Sequence, residues 1–376
     1  MVRFIHTSDW QLGMARRFLS ADAQARFTAA RVDDIRTIGR VAREHGAAFV
    51  VVAGDVFDSN LVERQLVLRA IEALREAEVP FYLLPGNHDP LDASSVFRSR
   101  VFAENCPANV TVLDGEPVEA EPGVWLVPAP WRAKKWPGDT AAAALERAAG
   151  LTGTKIVVAH GGNSEFTPEV EYAALVDTAN AEKAIASGAV QYVALGDRHS
   201  RTPLGETGRI WYSGAPEPTE YRELDPGLVL DVLLEDDRCE VTPVKVAEWR
   251  FTESIGIAFD SEADLTRLRT WLDGLPAKER TIMNLGFTGT ITMALEARLE
   301  EALDHYKSMF AAIERRPGDS QLVVMPSESD FSSLHLDGFA ATAAAEIGAA
   351  AGEAGPAGEE AREALRLLHR LAGSVS

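Results

Sequence analysis

The stretch that decides the fold runs from residue 4 to residue 13 and reads FIHTSDWQLG. It begins as an apolar strand and continues into polar side chains, of which Asp9 is the acidic one. Four similar segments follow along the chain, each with polar residues at the end of a short apolar run. They are Gly54-Asp55-Val56-Phe57-Asp58, Gly86-Asn87-His88-Asp89, His160-Gly161-Gly162 and Gly196-Asp197-Arg198-His199. Because an open α/β sheet gathers its site at the carboxyl ends of its strands, the five segments predict one shared site.

The composition is that of a globular protein. The chain has 376 residues, of which 46% are hydrophobic and 25% charged, enough for one large domain and a smaller one. Its two cysteines, Cys106 and Cys239, are far apart, so the sequence predicts neither a disulfide framework nor a thiolate metal site. No apolar stretch approaches the ~18 residues of a membrane span, and no secretory signal is recognisable. We therefore expect a cytoplasmic protein that does not engage a membrane.

The formal net charge of -20 argues against a protein that binds nucleic acid through a positive field over its whole surface. A local basic groove remains open. The candidate substrate-binding cations are Arg16, Arg17, Arg132, Lys134 and Lys135. The last three lie between Trp131 and Trp136, and basic residues interleaved with aromatic ones can hold phosphates and stack on bases. A solvated loop is the alternative interpretation of the same segment.

Changes in pattern divide the chain into three regions. Residues 1–250 alternate strand and helix before a further set of short strands, which indicates two packed sheets with flanking helices. Residues 251–330 predict a small α/β module, in which residues 295–313 form one amphipathic helix. Residues 331–376 predict two short helices, the second with an apolar face for packing on this protein or on a partner. The residues of that face are Leu365, Leu368 and Leu371.

The polar segments carry the oxygen and imidazole ligands that hard divalent metals prefer. Two such ions ~3.5–4 Å apart can share one carboxylate and activate a water molecule between them. Asp55 is the natural shared carboxylate, since Gly54 lets the backbone turn sharply after its strand. The further ligands would come from Asp9, Asn87, His160 and His199. Any one of these residues alone more often has a structural role, but their combination in this order indicates a metal site.

With these motifs the chain resembles the calcineurin-like metallophosphoesterases, whose pattern is D-x-H, G-D-x-x-D, G-N-H-D/E, a later H, and G-H-x-H. It is similar in particular to the SbcD-type branch, the nuclease subunit of bacterial DNA-repair complexes. The segments that carry the resemblance lie within residues 1–250 and read FIHTSDWQLG, VVAGDVFDSN, LLPGNHDP, YVALGDRHS and WYSGAPEP. The resemblance implies a four-layer α/β sandwich, in which two packed sheets are flanked by helices, with a small α/β capping domain and a C-terminal helical tail.

The resemblance also implies which residues would hold two divalent metal ions. One ion would be held by Asp9, Gln11, Asp55 and His199. The other would be held by Asp55, Asn87, His160 and Asp197. The catalytic residue His88 would lie over the scissile phosphate, with Asp58 or Asp89 supporting it.

Two positions depart from the family pattern. Gln11 stands where the family has a histidine, and Asp197 stands where it has the first histidine of G-H-x-H. A glutamine carbonyl ligates a hard ion more weakly than imidazole does, or contacts it through water. Asp197 brings the carboxylates of the site to three, which favours Mn²⁺, or Mg²⁺, over softer ions and reduces the Lewis acidity at the bridging water.

Three functions are open at this point. The resemblance implies a DNA exonuclease or endonuclease that works with an SbcC-type coiled-coil ATPase and forms a homodimer, through residues 58–77 or 94–102. A stand-alone phosphodiesterase or phosphatase on a small nucleotide or phosphate ester fits the acidic composition better. A catalytically weak, metal-stabilised scaffold for the ATPase is the third hypothesis. A basic groove wide enough for duplex DNA would favour the first, and a narrow acidic-walled pocket would favour the second.

Overall fold

The computed structural model describes residues 1–136, 138–163, 175–235, 238–316, 318–325, 338–351 and 355–373. The chain divides into two compact units. The first unit comprises Met1–Arg17 and Ala21–Phe251, and the second comprises Phe18–Ser20 and Thr252–Ser376. The finer division of the sequence into 1–250, 251–330 and 331–376 stays a prediction.

The first unit contains a six-stranded sheet built on the opening stretch of the chain. In spatial order its strands are β12 (Cys239–Lys245), β11 (Leu228–Leu234), β1 (Val2–Thr7), β2 (Phe49–Val52), β3 (Phe81–Leu83) and β4 (Val110–Val112). Strands β1 to β4 are parallel, whereas β11 pairs in antiparallel register with β1 and β12. The carboxyl ends of β1, β2 and β3 therefore lie side by side at one edge of the sheet.

A second six-stranded sheet completes the first unit. In spatial order its strands are β5 (Val118–Glu121), β6 (Val124–Ala129), β7 (Thr154–His160), β8 (Tyr192–Gly196), β10 (Ile210–Tyr212) and β9 (Thr202–Leu204). Strands β6, β7, β8 and β10 are parallel, and antiparallel β5 and β9 close the two edges. The sequence pattern does not predict β5 and β9, because both are short edge strands in which Leu204 is the one buried side chain.

Helices cover the outer faces of the two sheets. The helices of this unit are α1 (Ala21–His45), α2 (Arg64–Glu76), α3 (Arg100–Asn105), α4 (Ala142–Ala149) and α5 (Thr178–Ala186), with a 3-10 turn at Val96–Arg98. Ile5 and Val50 pack with the side chains of α1 and α2, whereas Phe4 and Phe49 stack at 5.3 Å between the sheets. Neighbouring residues of a strand face opposite sides of the sheet. A shift of register by one residue would therefore exchange the side chains that face the helices with those that face the other sheet. The expected four-layer sandwich is confirmed.

The second unit contains a four-stranded sheet with two helices. Its elements are β13 (Arg250–Ala258), α6 (Glu262–Gly274), a 3-10 turn (Lys278–Arg280), β14 (Thr281–Thr292), α7 (Met293–Lys307), β15 (Ala312–Glu314) and β16 (Gln321–Met325). Strand β14 is central: it follows β13 in the sheet order and pairs in parallel with β15 near its start and with β16 near its end. The expected small α/β module is confirmed.

The prediction of one helix over residues 295–313 is wrong at its end. Helix α7 stops at Lys307, and the backbone N–H of Ser308 bonds back to the last turn of the helix. Ala312 then pairs with Ile282 of β14, and Phe310 is buried in the core of the unit. Tertiary pairing overrides the local helical pattern here, because the strand satisfies its backbone groups on β14 while it buries its apolar side chains.

Two helices, α8 (Phe339–Ala351) and α9 (Pro356–Gly373), follow in the described part of the tail. They pack on one another around a small core of Ala351, Ala361 and Leu365. The side chains of Leu368 and Leu371 lie outside the described residues. Among the helices that the structure describes, none is both long and apolar enough to cross a membrane.

Candidate metal centre and active site

Polar side chains from both sheets of the first unit meet at the carboxyl ends of their strands. Asp9, Asp55 and Asn87 follow β1, β2 and β3, while His160 ends β7 and His199 follows β8. Ligand atoms of Asp9, Asp55 and His160, all three buried, lie within 4.8 Å of one another. This spacing suits a shared metal ion.

The turns that carry these residues have strained backbones. Asp9, Gln11 and Asp55 have φ angles of 54°, 44° and 54°, in the left-handed region. Such residues cost about 1–3 kcal/mol each and persist where the surroundings determine them. Here the two turns hold one another, because Asp9 N donates to Gly54 O at 3.0 Å and Gln11 N donates to Asp55 O at 2.9 Å.

Two glycines allow the close approach of the turns. Gly54 has a φ of 98°, and a Cβ atom at this position would overlap the ring of His160. A Cβ atom at Gly86 would overlap the carboxylate of Asp55 and its backbone nitrogen. Space therefore requires glycine at both positions, and at Gly54 the left-handed backbone requires it as well.

His160 is oriented by the backbone of the other sheet. Its Nδ1 lies 2.8 Å from the carbonyl oxygen of Ala53, so this nitrogen carries a proton and donates it. The other ring nitrogen, Nε2, lies 2.7 Å from Asn87 Oδ1 and 3.4 Å from Asp55 Oδ1. A carbonyl partner on the outer nitrogen is the usual support of a metal-ligating histidine, and it leaves Nε2 facing the carboxylates.

His199 and Gln11 form the second half of the cluster. His199 Nδ1 lies 2.8 Å from Thr219 Oγ1 and 3.2 Å from Glu223 Oε1. Its Nε2 lies 3.0 Å from Gln11 Nε2 and 4.0 Å from Asp9 Oδ1. Gln11 Oε1 is buried and has no hydrogen-bond partner among the described residues. An unsatisfied carbonyl oxygen beside a supported imidazole and a carboxylate fits a hard divalent cation.

Asp197 completes the group of acids. Its backbone N–H lies 3.1 Å and 3.2 Å from the two carboxylate oxygens of Asp9. Its own carboxylate lies 3.7 Å from His160 Nε2 and is 34% exposed. The structure thus places Asp197 beside His160, in the half of the cluster to which the family resemblance assigns it.

The buried carboxylates and imidazoles change one another's protonation. Burial raises the pKa of Asp9, although the nearby charges of His199 and His160 act in the opposite direction. Burial also raises the pKa of Asp197. For Asp55, burial acts upward as well, but the charge and hydrogen bond of His160 outweigh it and lower its pKa. The charged form is therefore favoured for Asp55 alone, and a bound cation would stabilise the charged forms of Asp9 and Asp197 as well.

The pKa values of the two histidines rise in response, which favours their protonated forms. Burial alone would lower the pKa of His160, but the charge of Asp55 and the hydrogen bond to it raise this pKa well above its ordinary value. Burial likewise opposes the rise in the pKa of His199, which its hydrogen bond to Glu223 brings about. Divalent cations would replace these protons, since a histidine binds metal through a deprotonated nitrogen.

Among the residues of the site, His88 has an exposed side chain, of which 43% is accessible to solvent. Its backbone N–H donates to Asp55 Oδ1 at 3.0 Å, and its Nδ1 lies 2.9 Å from the backbone carbonyl of Asp58. Asp58 thus supports His88 through its main chain rather than through its carboxylate.

Asp89 supports the same turn from inside. It is buried and accepts hydrogen bonds from the backbone N–H groups of Gly86 at 2.7 Å and Phe57 at 2.9 Å. Burial, and after it the charge of Asp55, raise the pKa of Asp89 to about 7. Its carboxylate ties the turn after β3 to the turn after β2.

Of the candidate substrate-binding cations, two arginines bond to backbone carbonyls. Arg16 donates to the carbonyl of Thr219, and Arg132 donates to the carbonyl of Asp114. Arg17 is exposed. Arg16 therefore has a structural contact next to the support of the second histidine.

The basic loop is anchored at the site by a tryptophan. The indole Nε1 of Trp131 donates to the carbonyl oxygen of His160 at 2.7 Å, and its ring lies 6.1 Å from that of Trp136. Lys134 and Lys135 are exposed on the same loop. The structure thus brings the start of the loop to the backbone of a candidate metal ligand.

Sequence reasoning misses the groups that orient the two histidines. Thr219 and Glu223, which support His199, lie 20 and 24 residues beyond it, and Ala53, whose carbonyl supports His160, lies 107 residues before it. The available signal is indirect: Thr219 directly follows the segment WYSGAPEP, which carries the family resemblance without offering a ligand.

Comparison with known proteins identifies a family. The family described as calcineurin-like phosphoesterase matches residues 2–233. No curated protein matches the chain. A solved structure from Thermus thermophilus is similar with a TM-score of 0.41 and 12% identity, covering 64% of this chain and 98% of the other. A dimetal phosphatase from Danio rerio is similar with a TM-score of 0.40 and 13% identity, covering 65% and 97%.

Proposed function

Since this chain belongs to the calcineurin-like phosphoesterase family, we propose that it hydrolyses phosphodiester bonds in DNA with two divalent metal ions. The observation that carries the proposal is the buried cluster of Asp9, Asp55 and His160, whose ligand atoms lie within 4.8 Å of one another. Mn²⁺ is the ion we expect, with Mg²⁺ as the alternative, because carboxylate and carbonyl oxygens dominate the donor set.

The residues present fit two hard ions. Gln11 Oε1, buried and without a partner among the described residues, is an acceptor that a cation would satisfy. One ion would be held by Asp9, Gln11, Asp55 and His199. The other would be held by Asp55, Asn87, His160 and Asp197. When bound, two such ions polarise a phosphate and lower the pKa of a water molecule.

The chain's first contribution is to orient the ring nitrogens. The carbonyl of Ala53 holds His160 by Nδ1, and Thr219 with Glu223 holds His199 by Nδ1. These hydrogen bonds fix the orientation of both rings, so that both Nε2 atoms face the carboxylates. This preorganisation is the usual role of the groups behind metal-ligating histidines.

The second contribution is the exposed imidazole of His88 beside the cluster. Its Nδ1 donates to the carbonyl of Asp58, so Nε2 is the nitrogen available to a substrate on the exposed side. Nε2 also lies 3.9 Å from Asp55 Oδ2. A protonated His88 at this position can stabilise charge on the phosphate or donate a proton to the leaving oxygen.

The basic loop supports DNA as the substrate. Arg132, Lys134 and Lys135 are exposed on a loop that Trp131 anchors to the backbone of His160. A polyanion that reaches the cluster could contact these cations with its neighbouring phosphates, whereas a small ester has no such phosphates.

A cavity beside the cluster favours a second candidate, a phosphodiesterase or phosphatase on a small nucleotide or phosphate ester. The cavity measures about 330 Å³, and its lining includes Asp197, His199, Glu220 and Arg222. This volume suits a compact ligand. The net charge of -20 also disfavours general attraction of a polyanion.

We propose further that the two tail helices bind an SbcC-type coiled-coil ATPase, and that the chain acts as a homodimer in the cytoplasm. The support for the first of these is the packing of α8 on α9 around Ala351, Ala361 and Leu365, which gives a compact helical module. Co-elution of the full chain with the ATPase, and its loss when α9 is removed, would test the partner.

The test of the function compares two substrates. We expect Mn²⁺-dependent release of nucleotides from linear duplex DNA and of nitrophenol from bis-p-nitrophenyl phosphate. Asp55→Asn should abolish both activities, and the exposed Asp22→Asn should retain both. Cleavage of the small ester alone would favour the second candidate. No hydrolysis of either substrate, with the ATPase present, would overturn both and leave the scaffold hypothesis.

A further inference from the structure

A buried arginine on α1 contacts both loops that carry the Gln11 and His199 half of the cluster. Arg31 is 2% exposed. Its Nη1 donates to the carbonyl oxygen of Trp10 at 2.9 Å, and its Nη2 donates to the carbonyl oxygen of Pro218 at 3.1 Å. One planar guanidinium therefore joins two loops, the second of which lies 187 residues along the chain from Arg31.

The first of these carbonyls lies between two strained residues. Trp10 stands between Asp9 and Gln11, whose φ angles are 54° and 44°. Because a peptide group is planar, holding the Trp10 carbonyl limits the backbone dihedrals on either side of it. Arg31 thus stabilises the left-handed conformation that turns the Gln11 side chain toward the cluster.

The second carbonyl belongs to the loop that supports His199. Pro218 directly precedes Thr219, whose hydroxyl lies 2.8 Å from His199 Nδ1. The loop has a second arginine contact, since Arg16 donates to the carbonyl of Thr219. Two guanidinium groups therefore fix the backbone from which His199 is oriented.

Burying the charged side chain of Arg31 costs free energy, which indicates that its hydrogen bonds have a specific role. A buried cation is costly unless charged partners compensate it, and an apolar side chain often packs as stably. Arg31 lies 4.6 Å over the ring of Phe27, and the buried acids Asp34 and Glu217 act on it through their charges. Lysine would be a poor replacement, because only arginine presents several N–H groups in a rigid fork to two acceptors at once.

We propose that Arg31 is a positioning residue that holds the side chain of Gln11 beside His199, so that both can bind one of the two metal ions. The proposal rests on the proposed function, since it presupposes the two-ion site. The other ion would be held on the side of Asn87 and His160. The two hydrogen bonds of Arg31 go to other turns, so the affinity for this ion should be unaffected.

The test is a Mn²⁺ titration of the full chain by calorimetry, with electron paramagnetic resonance as a second readout. Wild type should bind two ions and give the spin-coupled signal of a two-ion centre. Arg31→Met should weaken one of the two sites roughly 10- to 100-fold and give the signal of a single Mn²⁺, while the other site keeps its affinity. Arg31→Lys should recover part of the loss.

The matched control is Arg43→Met, which removes another arginine of α1 that donates to a backbone carbonyl, that of Ala77. It should bind both ions as wild type does. If Arg31→Met fails to fold, Arg16→Met removes the other arginine contact to the loop that carries Thr219. It should weaken Mn²⁺ binding at the same site severalfold.

If Arg31→Lys and Arg16→Met both fold and both bind the two Mn²⁺ ions with the affinities of wild type, the proposal is overturned. It is also overturned if affinity is lost equally at both metal sites. Failure of wild type to bind Mn²⁺ at all would instead contradict the proposed function. The two failures are therefore distinguishable.

Discussion

The Nδ1 atom of His160 lies 2.8 Å from the carbonyl oxygen of Ala53, the residue directly before the Gly54-Asp55 turn. His160 ends a strand of one sheet, and Ala53 follows a strand of the other. The bond therefore joins the two sheets at the edge where the carboxylates meet. It also decides which ring nitrogen faces Asp55, so the packing of the two sheets and the chemistry of the site depend on the same contact.

Gly54→Ala should disrupt this contact. The new Cβ would overlap the His160 ring, and alanine would have to adopt a φ of 98°. We expect a free energy of unfolding lower than that of the control Gly46→Ala, which has a φ of 67° and nothing within 4 Å of the added Cβ. The control should lose only the ~1–2 kcal/mol of a left-handed residue. Urea unfolding and Mn²⁺ titration measure both effects; equal stabilities and equal Mn²⁺ affinities would contradict the prediction.

His6 should make the protein sensitive to acid. It is buried, with Nδ1 3.1 Å from the Tyr192 hydroxyl and Nε2 3.2 Å from the Leu195 carbonyl. Burial lowers the pKa of His6 to about 3, against the opposing effect of the Leu195 bond. Between pH 6.5 and about 3 the unfolded chain binds a proton that the folded chain does not, so stability falls as the pH falls.

The variant His6→Gln isolates that contribution, because glutamine keeps hydrogen-bonding capacity and does not titrate. Below pH 6 the free energy of unfolding of wild type should fall about 1.4 kcal/mol per pH unit more steeply than that of the variant. Urea unfolding at pH 7, 6 and 5 in the presence of a chelator gives both slopes. Parallel slopes would show that His6 takes up its proton in the folded state.

The two exposed lysines of the basic loop separate the DNA hypothesis from the small-substrate hypothesis. Lys134→Ala/Lys135→Ala should weaken DNA binding and lower the slope of log affinity against log salt by about one for each lysine. Hydrolysis of bis-p-nitrophenyl phosphate should be unchanged, because that ester has no neighbouring phosphates. The exposed Lys183→Ala on α5 is the control. If the slope of log affinity against log salt is unchanged, the loop does not contact the DNA.

Asp197→His should change the metal preference of the site. The carboxylate of Asp197 lies 3.7 Å from His160 Nε2, and replacing it with imidazole adds a softer ligand and removes a negative charge. The ratio of Zn²⁺ to Mn²⁺ affinity should rise, since imidazole suits Zn²⁺ and carboxylate suits Mn²⁺. Competition calorimetry measures the ratio. Asp225→His, at another aspartate with positive φ, controls for backbone strain and should leave the ratio unchanged.

Much of the fold and of the candidate site can be predicted locally. The strands that end at Thr7, Val52 and Leu83 lie where the apolar runs predict them, each with its polar segment behind it. The end of α7 was beyond local prediction, because residues 308–313 have a helical pattern, whereas the helix ends at Lys307 and residues 312–314 form a strand by pairing with β14. Edge strands β5 and β9 were missed for the related reason that a partner strand, rather than an apolar run, defines them.

The sequence by itself determined the order of the polar segments and the glycines before Asp55 and Asn87. Polar residues that directly follow buried parallel strands must emerge at the same edge, so their gathering follows from chain order and strand direction. Only the tertiary structure decided which nitrogen of each histidine faces inward, that Gln11 Oε1 lacks a partner among the described residues, and that Arg31 joins two loops. Those contacts link residues up to 187 positions apart through single hydrogen bonds, and no local pattern of hydrophobicity or turn residues records them.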